Sequence, residues 1–547
     1  MTQLNGNAAS FFVDRHRSAN AGAANAGAVN AGDVAKGADN YSDNTAYIEA
    51  DGKKRSITYR ELADNAACVG DLYQRHGIYR EDRVAMLLLD EIEFPIIFWG
   101  SLRVGVVPVA INTLLSTDVY QSILDDSRAR ALFVSAALLP VVAPLLDDHP
   151  WIDKVFVTGA ANQHLDFTRE LQQSVAVEAV DVSPDETAFW LYSSGSTGQP
   201  KGVRHVHSSL KFTADTYGNR VLGIEQSDIV YSAAKFFFAY GLGNAMTFPM
   251  SVGATTVLLA GRPTPEVVVD ILNTYKPSIF CGVPTLYAAT IAYLEAGDVQ
   301  IDRQAAAQIR RCISAGEALP EDIGRQWQKI AGCEILDGVG STEMLHIFLS
   351  NAPGDVVYGT SGVAVPGYQL RLVNEQGEEV GVGEVGELLV NGDSAASDYW
   401  NQREKSRNTF EGVWTRTGDK YERNDQGRLV YCGRTDDMFK VSGIWVSPFE
   451  VEQALVSHAF VLEAAVVPAR DADGLEKPKA FIVLKGEVGR EAGSNDDESL
   501  AGTLKDHVKE RIGKWKYPRW IEVVEELPKT ATGKIQRFKL RDAKDAS

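Results

Sequence analysis

Apolar segments that alternate with amphipathic segments restrict how this chain can fold more than any other feature of its sequence. The pattern predicts three strands separated by two helices, at 84–89, 94–104, 106–111, 118–125 and 131–135. The predicted strands are apolar at nearly every position, as in parallel sheets with helices on both faces. Three more such strands follow, at 229–233, 254–259 and 278–282. The sequence therefore predicts an α/β fold of parallel subdomains.

The pattern changes twice toward the C-terminus. Short strands with Gly- and Glu-rich turns at 369–391 indicate a small antiparallel β unit. After Gly433 the chain reads as a compact α+β unit, with helices and strands at 448–456, 461–467, 480–485, 500–512 and 520–524. We therefore predict a large N-terminal domain, 1–434, and a small mobile C-terminal domain, 435–547. The repeats NAGAA, NAGAV and NAGDV cannot bury a core, so 18–40 is predicted to be a flexible insert.

Charge and cysteine usage exclude several classes of protein. A net charge of −19 argues against nucleic acid or an anionic membrane as the main partner. The five cysteines are widely spaced without a CxxC pair, which fits a reducing compartment. The N-terminal segment lacks the order of a signal peptide, and the most apolar run, 131–146, is interrupted by Pro140 and Pro144. We expect a cytoplasmic protein.

A Ser-, Thr- and Gly-rich segment is the strongest chemical signal. The sequence YSSGSTGQPKG, residues 192–202, follows an apolar stretch at 188–191 that reads as a strand. Glycine-rich turns can point backbone N–H groups at an anion, hydroxyls add donors and lysine adds a charge. The spacing is not that of a Walker A loop. The segment predicts a phosphate-binding loop formed by Ser193, Ser194, Gly195, Ser196, Thr197, Gly198 and Lys201.

This loop resembles that of the adenylate-forming enzymes, the superfamily of acyl-CoA synthetases, non-ribosomal adenylation domains and firefly luciferases. Five further segments are similar to family motifs and occur in the family's order, at 314–320, 337–343, 417–419, 433–437 and 528–534. The resemblance covers essentially the whole chain apart from the insert.

The resemblance implies a role for residues in each segment. Gly316, Glu317 and Ala318 would lie along the adenine. Asp337 and Gly338, in the next motif, would also bind the nucleotide. Thr342 would contact the α-phosphate and Glu343 would bind Mg²⁺, for which a carboxylate oxygen is a suitable hard ligand. Asp419 and Arg434 would bind the ribose, Asp436 would be the hinge, and Lys534 would be the catalytic lysine. Many family members carry an aromatic residue where Val339 stands, so the adenine contacts here are expected to depend more on 316–318. Taken alone, Thr342-Glu343 could instead be a helix N-cap.

The family's reaction has two steps, which use ATP, Mg²⁺ and coenzyme A. A carboxylate is already a nucleophile at neutral pH and attacks the α-phosphorus without a general base. The small domain then rotates, which takes Lys534 out of the active site. The rotation brings Lys440, Ser442 and Gly443 into the site to receive CoA. Glycine at 443 would let the pantetheine pass close to the backbone, although it could also simply end a turn.

Two segments look like the benzoate–CoA ligase group, 232–244 and 344–348. They predict an acyl pocket formed by Phe238, Ala239, Tyr240, Gly241, Cys281, Gly340 and His346. An aromatic-walled pocket suits a flat ring. Phe236 and Phe237 could equally belong to the hydrophobic core. His346 could instead be a hydrogen-bonded structural histidine. The spaced pair His205 and His207 has no visible third ligand, so metal binding there is not expected.

The resulting function is ATP-dependent ligation of benzoate, or a substituted benzoate, to CoA. Ring substituents stay open, so 3- or 4-hydroxybenzoate and 2-aminobenzoate are alternatives. A stand-alone adenylation module would load a carrier protein, but only 13 residues follow Lys534, which favours free CoA. A luciferase-like oxygenase, an inactive binding protein and an ADP-forming kinase are further alternatives. The expected partners are an aryl acid and CoA, with the chain a monomer or homodimer.

Overall fold

The structure is a computed structural model. It describes residues 6–17, 41–194, 200–297, 299–435, 437–441, 444–471, 475–485, 497–529 and 535–542. The insert predicted at 18–40 lies outside these residues.

The described strands are short and regularly spaced. The first twelve are β1 Thr45–Glu49, β2 Ser56–Thr58, β3 Arg83–Leu87, β4 Val107–Ala110, β5 Ala131–Ser135, β6 Lys154–Thr158, β7 Leu165–Asp166, β8 Thr187–Ser194, β9 Pro200–Val206, β10 Ile229–Ser232, β11 Thr255–Leu258 and β12 Ile279–Gly282. The next ten are β13 Arg311–Ala315, β14 Ile335–Gly340, β15 Ile347–Ser350, β16 Val363–Ala364, β17 Gln369–Val373, β18 Val385–Asn391, β19 Asp398–Tyr399, β20 Phe410–Glu411, β21 Trp414–Arg423 and β22 Leu429–Arg434. The last five are β23 Phe439–Val441, β24 Ile444–Val446, β25 Val461–Arg470, β26 Glu476–Leu484 and β27 Trp520–Val523.

Helices connect most of the parallel strands. In chain order they are α1 Ala8–Phe12, α2 Tyr59–Arg75, α3 Glu93–Arg103, α4 Thr117–Ser127, α5 Leu139–Val142, α6 Phe167–Gln172, α7 His207–Thr213, α8 Ala239–Leu242, α9 Phe248–Val252, α10 Pro265–Tyr275, α11 Pro284–Ala296, α12 Arg303–Gln308, α13 Glu321–Ala331, α14 Arg403–Thr409, α15 Pro448–Val456, α16 Asp497–Ile512 and α17 Arg537–Asp542. Two π-helical segments, Ala214–Val221 and Gly243–Thr247, continue α7 and α8. Short 3-10 turns occur at Asp14–His16 and Ala143–Leu145.

Two large, mainly parallel sheets form the body of the molecule. The eight-stranded sheet has the order β19-β9-β8-β4-β3-β5-β6-β7, and β3 to β8 are parallel. At one edge β9 is antiparallel to β8, and β19 is antiparallel to β9. The nine-stranded sheet has the order β16-β15-β14-β13-β12-β10-β11-β1-β2, and its six central strands are parallel. The predicted parallel α/β architecture is confirmed.

The remaining strands form smaller sheets. β17, β18, β20, β21 and β22 form an antiparallel sheet, which confirms the β unit expected at 369–391 and extends it to Arg434. Beyond it, β25, β26 and β27 form a three-stranded sheet that packs with α15 and α16 around Val446, Leu455 and Ile482. The small α+β unit is therefore present. Its status as a separate mobile domain, 435–547, stays a prediction.

Local sequence explains where elements begin. Thr58 caps α2 in a capping box: its side chain accepts from the backbone N–H of Glu61, whose carboxylate accepts from the Thr58 N–H. The strand expected at 188–191 is the centre of a longer one, β8. We did not predict β9, because Pro200 and Gly202 obscure a strand that pairs with β8 across the predicted phosphate loop.

One hydrophobic core joins the two large sheets. It contains Met86 and Phe133 of the eight-stranded sheet together with Val230 and Ile279 of the nine-stranded sheet. Phe94 of α3 stacks on Phe236, with 4.8 Å between ring centroids, where the sheets meet. The described helices include none that is both long and apolar enough to cross a membrane.

Candidate active site

The predicted site residues come from the carboxyl ends of parallel strands in both large sheets. Ser193 lies near the end of β8, and its Oγ is buried with no hydrogen-bond partner among the described residues. In the other sheet, β13 is followed directly by Gly316, and β14 carries Asp337 and Gly340. Ligands of open α/β sheets bind at such strand ends, and an unpartnered buried hydroxyl there suits an anionic oxygen.

Glu343 lies at the centre of a charged cluster that spans both sheets. Its Oε1 accepts a hydrogen bond of 2.7 Å from the Tyr399 hydroxyl and lies 3.5 Å from Lys201 Nζ. Burial alone would raise the pKa of Glu343, but the Lys201 charge and the Tyr399 hydrogen bond outweigh it and lower the pKa. Glu343 is therefore a charged carboxylate held in a largely buried position. Lys201 and Tyr399 belong to strands of the eight-stranded sheet, whereas Glu343 follows β14 of the other.

The segment that carries Thr342 and Glu343 is a turn, so the helix N-cap alternative is wrong. The Thr342 carbonyl accepts from His205 Nε2 at 2.8 Å, and the Glu343 carbonyl accepts from the Ala396 N–H at 2.7 Å. Burial lowers the pKa of His205 to about 4, so the ring is neutral and its proton is on Nε2. Leu345 has a φ of +64°, a conformation that these contacts on the turn maintain.

Asp337 lies on β14, next to β13, which leads into the segment 316–318 predicted to lie along the adenine. Pairing of β13 with β14 places Ser314 opposite Asp337 and Ala315 opposite Gly338. Burial raises the pKa of Asp337 well above its usual range, although the backbone N–H groups of Leu319 and Gly338 oppose that shift. Asp337 Oδ1 has no partner among the described residues. A neutral, buried carboxyl can both donate and accept hydrogen bonds.

Asp419 and Arg434 face each other across β21 and β22. Arg434 Nη1 donates to Asp419 Oδ1 at 2.9 Å and to the Thr417 carbonyl at 3.0 Å. Gly418 has a φ of +70°, and a Cβ there would lie 2.9 Å from Arg434 Nη2. The backbone conformation therefore favours glycine at 418, and a side chain there would also displace the guanidinium.

Tyr240 and His346, both predicted to line the acyl pocket, contact each other. The Tyr240 hydroxyl donates to the Gly282 and Ile313 carbonyls at 3.1 and 3.2 Å. His346 Nε2 lies 3.3 Å from the Tyr240 carbonyl and donates to it. Burial lowers the pKa of His346 to about 3, so the ring is neutral.

Glycines let the segments around these two residues pack closely. A Cβ at Gly241 would lie 2.0 Å from the Lys235 carbonyl oxygen, and one at Gly340 would lie 2.6 Å from that of His346. Ala239 is nearly buried and Phe238 is half-buried, with its ring centroid 4.5 Å from that of Phe237.

Other predicted pocket residues lie in the core. Cys281 is fully buried on β12, between Ser232 of β10 and Ile313 of β13. Its placement at the floor of the acyl pocket stays a prediction. Phe236 and Phe237 are both buried in the same hydrophobic core, which is consistent with the core interpretation of these two rings.

Two charged side chains that we did not predict, Asp90 and Lys235, support the segment at Phe236. Lys235 Nζ donates to the carbonyls of Gly261, at 2.8 Å, and Leu259. Asp90 Oδ1 accepts from the Phe236 N–H at 3.2 Å. Burial raises the pKa of Asp90 to about 6, because desolvation of the carboxylate outweighs the attraction of Lys235.

We expect Asp90→Asn to change how stability depends on pH. A carboxyl whose folded-state pKa is raised from 3.8 to about 6 stabilises the fold at low pH, and that contribution is lost as the pH rises through this interval. From pH 4.5 to 7.5 the variant should gain about 2 kcal/mol relative to wild type. Thermal unfolding at the two pH values measures this gain. The exposed Asp185→Asn is the matched control, and an equal difference between Asp90→Asn and wild type at both pH values would contradict the assignment.

Several predicted residues lie outside the described part of the chain. They are Gly195, Ser196, Thr197, Gly198, Asp436, Ser442, Gly443 and Lys534. Ser194 ends β8, and Lys440 lies on β23. The roles of these residues stay predictions.

Tyr399 and His205 are the site residues that sequence reasoning missed. Tyr399 lies 56 residues from Glu343 on a strand of two residues, and no local pattern joins the two. The sequence shows His205 and His207 two residues apart, but it does not indicate that His205 binds the Thr342 carbonyl. The described residues contain no group of three or more His, Cys, Asp or Glu side chains that could hold a metal ion. A metal bound at Glu343 would need oxygen atoms from its substrate as well.

Comparison with known proteins identifies the family of the chain. The sequence profile of the AMP-binding enzyme family matches residues 34–400, and that of the AMP-binding enzyme C-terminal domain matches residues 450–534. This chain belongs to the AMP-binding enzyme family. The predicted resemblance to adenylate-forming enzymes is therefore confirmed.

Curated relatives of this AMP-binding enzyme include ligases named for aromatic acids. It is 54% identical to the benzoate–CoA ligase of Thauera aromatica, over 91% of this chain and 92% of that one. It is 51% identical to the 4-hydroxybenzoate–CoA/benzoate–CoA ligase of Rhodopseudomonas palustris, over 89% of each chain. A solved anthranilate CoA ligase in complex with anthranoyl-AMP matches with a TM-score of 0.85 and 40% identity, over 91% of this chain and 94% of that one.

Proposed function

We propose that this AMP-binding enzyme is an AMP-forming aryl acid–CoA ligase. It converts benzoate, ATP and CoA into benzoyl-CoA, AMP and diphosphate through benzoyl-adenylate. The observation that carries the proposal is identity above one half to two benzoate–CoA ligases over about nine tenths of the chain. The adjacent aromatic rings of Tyr240 and His346 and the charged Glu343 carboxylate are consistent with that chemistry.

The first step needs alignment rather than a base. The carboxylate of the acid attacks the α-phosphorus directly, so the site must hold both reactants in line and neutralise phosphate charge. Lys201, Ser193 and Thr342 would bind the phosphates. Lys534 would add a second positive charge.

Glu343 fits the role of the Mg²⁺ ligand. Its carboxylate stays charged despite burial, as its lowered pKa indicates. Mg²⁺ in nucleotide sites commonly uses one or two carboxylates together with phosphate oxygens, so a single glutamate is sufficient. Bound there, Mg²⁺ would polarise the phosphate oxygens and neutralise charge on the leaving diphosphate.

The nucleoside would lie between the remaining predicted contacts. Gly316, Glu317 and Ala318 follow β13, beside Asp337 and Gly338 of β14, and offer one surface for adenine. Asp419 would accept hydrogen bonds from the ribose hydroxyls and Arg434 would reach the same sugar.

The residues that line the acyl pocket would determine which acid the enzyme accepts. Phe238, Ala239, Tyr240, Gly241, Cys281, Gly340 and His346 would surround the ring. A hydroxyl buried without a partner costs about 1–3 kcal/mol. One polar contact therefore decides between benzoate and a hydroxybenzoate, and both 3- and 4-hydroxybenzoate remain candidates alongside 2-aminobenzoate.

The second step exchanges AMP for CoA. We propose that 435–547 moves relative to 1–434 about Asp436, so that Lys440, Ser442 and Gly443 line the path of the pantetheine thiol. The acceptor is free CoA, with a carrier-protein phosphopantetheine as the alternative. The enzyme is proposed to act in the cytoplasm as a monomer or homodimer.

A substrate panel tests the function. Purified protein is given ATP, Mg²⁺ and CoA with benzoate, 2-, 3- and 4-hydroxybenzoate, 2-aminobenzoate, cinnamate or hexanoate. AMP release and the mass of the thioester are followed together. AMP with an aryl-CoA mass supports the ligase, and the ranking of rates names the acid. Absence of AMP with every aryl acid would contradict the proposed pocket.

Asp419→Asn should raise the KM for ATP about 10- to 100-fold, because a hydrogen bond to a charged acceptor contributes about 1.5–3 kcal/mol. Wild type should also prefer ATP to its 2′- and 3′-deoxy analogues, and this preference should shrink in the variant. Steady-state kinetics with the three nucleotides measure both effects. Glu422→Gln, on the same strand, is the control. A variant that keeps the full preference for ATP would contradict the ribose contact.

A further inference from the structure

The Tyr399 hydroxyl lies between the two charged groups of the Glu343 cluster. It donates to Glu343 Oε1 at 2.7 Å and accepts from Lys201 Nζ at 3.4 Å. The same Nζ lies 4.4 Å from the centroid of the Tyr399 ring, within range of a cation–π interaction. One side chain therefore restrains both the carboxylate and the ammonium.

The two side-chain donors approach the same carboxylate oxygen. Tyr399 and Lys201 are both directed at Oε1 of Glu343, and Oε2 receives neither of them. A carboxylate held in this way presents Oε2 in a fixed orientation. Groups that orient a metal-binding side chain commonly influence metal affinity, since they remove the freedom that binding would otherwise have to restrict.

Tyr399 is itself held firmly. Strand β19 pairs with β9, with Tyr399 opposite Val203, and the Tyr399 N–H donates to Ser406 Oγ at 3.0 Å. Its side chain is nearly buried, and its ring centroid lies 5.3 Å from that of Phe410. Ala396, three residues earlier, binds the Glu343 carbonyl. The segment thus contacts Glu343 at the backbone and at the carboxylate.

We propose that Tyr399 is a positioning residue that orients Glu343 and Lys201 to receive a divalent cation together with the triphosphate of ATP. The proposal rests on the proposed function for the identity of the nucleotide. It adds a residue that touches neither the acid nor the reacting phosphorus and acts through its hold on Glu343.

The test is the affinity for Mn²⁺, used as a spectroscopic substitute for Mg²⁺, measured by electron paramagnetic resonance on the full-length protein with ATP and no acid. Tyr399→Phe keeps the ring and its packing and removes only the hydroxyl. Because the loss of such orienting contacts weakens metal binding about 10- to 100-fold, a weakening of that size is expected. Binding of ATP without metal should change much less.

Tyr73→Phe is the matched control. The Tyr73 hydroxyl is also buried and hydrogen-bonded, to Ser101 Oγ at 2.6 Å, but it lies on α2. This variant should lose comparable thermal stability and keep the wild-type affinity for Mn²⁺. An equal weakening of Mn²⁺ binding in both variants would mean that only general stability is involved, and would overturn the proposal.

The outcomes separate this inference from the ligase assignment. If wild type forms aryl-CoA but Tyr399→Phe binds Mn²⁺–ATP as tightly as wild type, Tyr399 has no positioning role and the ligase stands. If no aryl acid releases AMP yet Tyr399→Phe still weakens Mn²⁺–ATP binding, the positioning role is supported and the proposed substrate class is wrong.

Discussion

Replacing Glu343 with glutamine is expected to lower the rate of acyl-adenylate formation about 100- to 1,000-fold, a size typical for the loss of one preorganised electrostatic contact to a developing charge. Glutamine keeps the shape of the side chain and its hydrogen bond from Tyr399, but it loses the negative charge that would bind Mg²⁺. Lys201 would also lose its partner at 3.5 Å. Adenylation is measured by acid-dependent exchange of pyrophosphate into ATP.

The second half-reaction, thioester formation, should respond differently to Glu343→Gln. Thioester formation from a preformed aryl-adenylate does not require a metal on the triphosphate, so Glu343→Gln should retain most of it. Glu404→Gln changes the same charge on the exposed face of α14 and should leave both rates near wild type. An equal loss in both half-reactions would show that Glu343 supports the structure of the site as a whole.

Replacing Lys534 with alanine is expected to reduce adenylation by at least 100-fold, because a positive charge directed at the phosphate would be lost from the transition state. The prediction rests on the similarity of 528–534 to the family's lysine loop. Thioester formation from preformed aryl-adenylate should fall only a few-fold, since the proposed domain movement takes Lys534 away before CoA reacts. Single-turnover measurement of each half-reaction gives the ratio.

A neighbouring lysine provides the control for this experiment. Lys529 forms an ion pair with Glu463, 2.5 Å between Nζ and Oε1, on the surface of the small unit. Such pairs contribute about 0–1 kcal/mol to stability, so Lys529→Ala should be nearly silent in both steps. If Lys534→Ala and Lys529→Ala affected the two half-reactions alike, the assignment of Lys534 would be wrong.

Much of the fold could be predicted because the signals are local. The apolar strands near 84, 107 and 131 occur where expected, within a few residues. The hairpin that adds β9 to β8 could not be predicted in the same way. Pro200 and Gly202 in β9 argue against a strand, and pairing with β8 and β19 stabilises it.

Site residues in short local motifs could likewise be predicted, whereas those that act through long-range contacts could not. Motif residues such as Glu343 and Asp419 are recognisable because each lies in a short pattern. Tyr399 acts on Glu343 only through a contact between distant segments, and Asp90 supports Phe236 across 146 residues. Tertiary contacts of this kind leave no periodic or local trace in a single sequence.

The position of the Glu343 cluster between two sheets has a consequence for how the enzyme tolerates mutation. Glu343 is supplied by one sheet, whereas Lys201 and Tyr399 are supplied by the other, and a common interior around Phe94 and Phe236 fixes the distance between them. A change of one methyl group in that interior can shift the sheets relative to each other. Selection for catalysis therefore acts on residues far from any substrate, and variants that fold normally but lose activity should be concentrated at the boundary between the sheets.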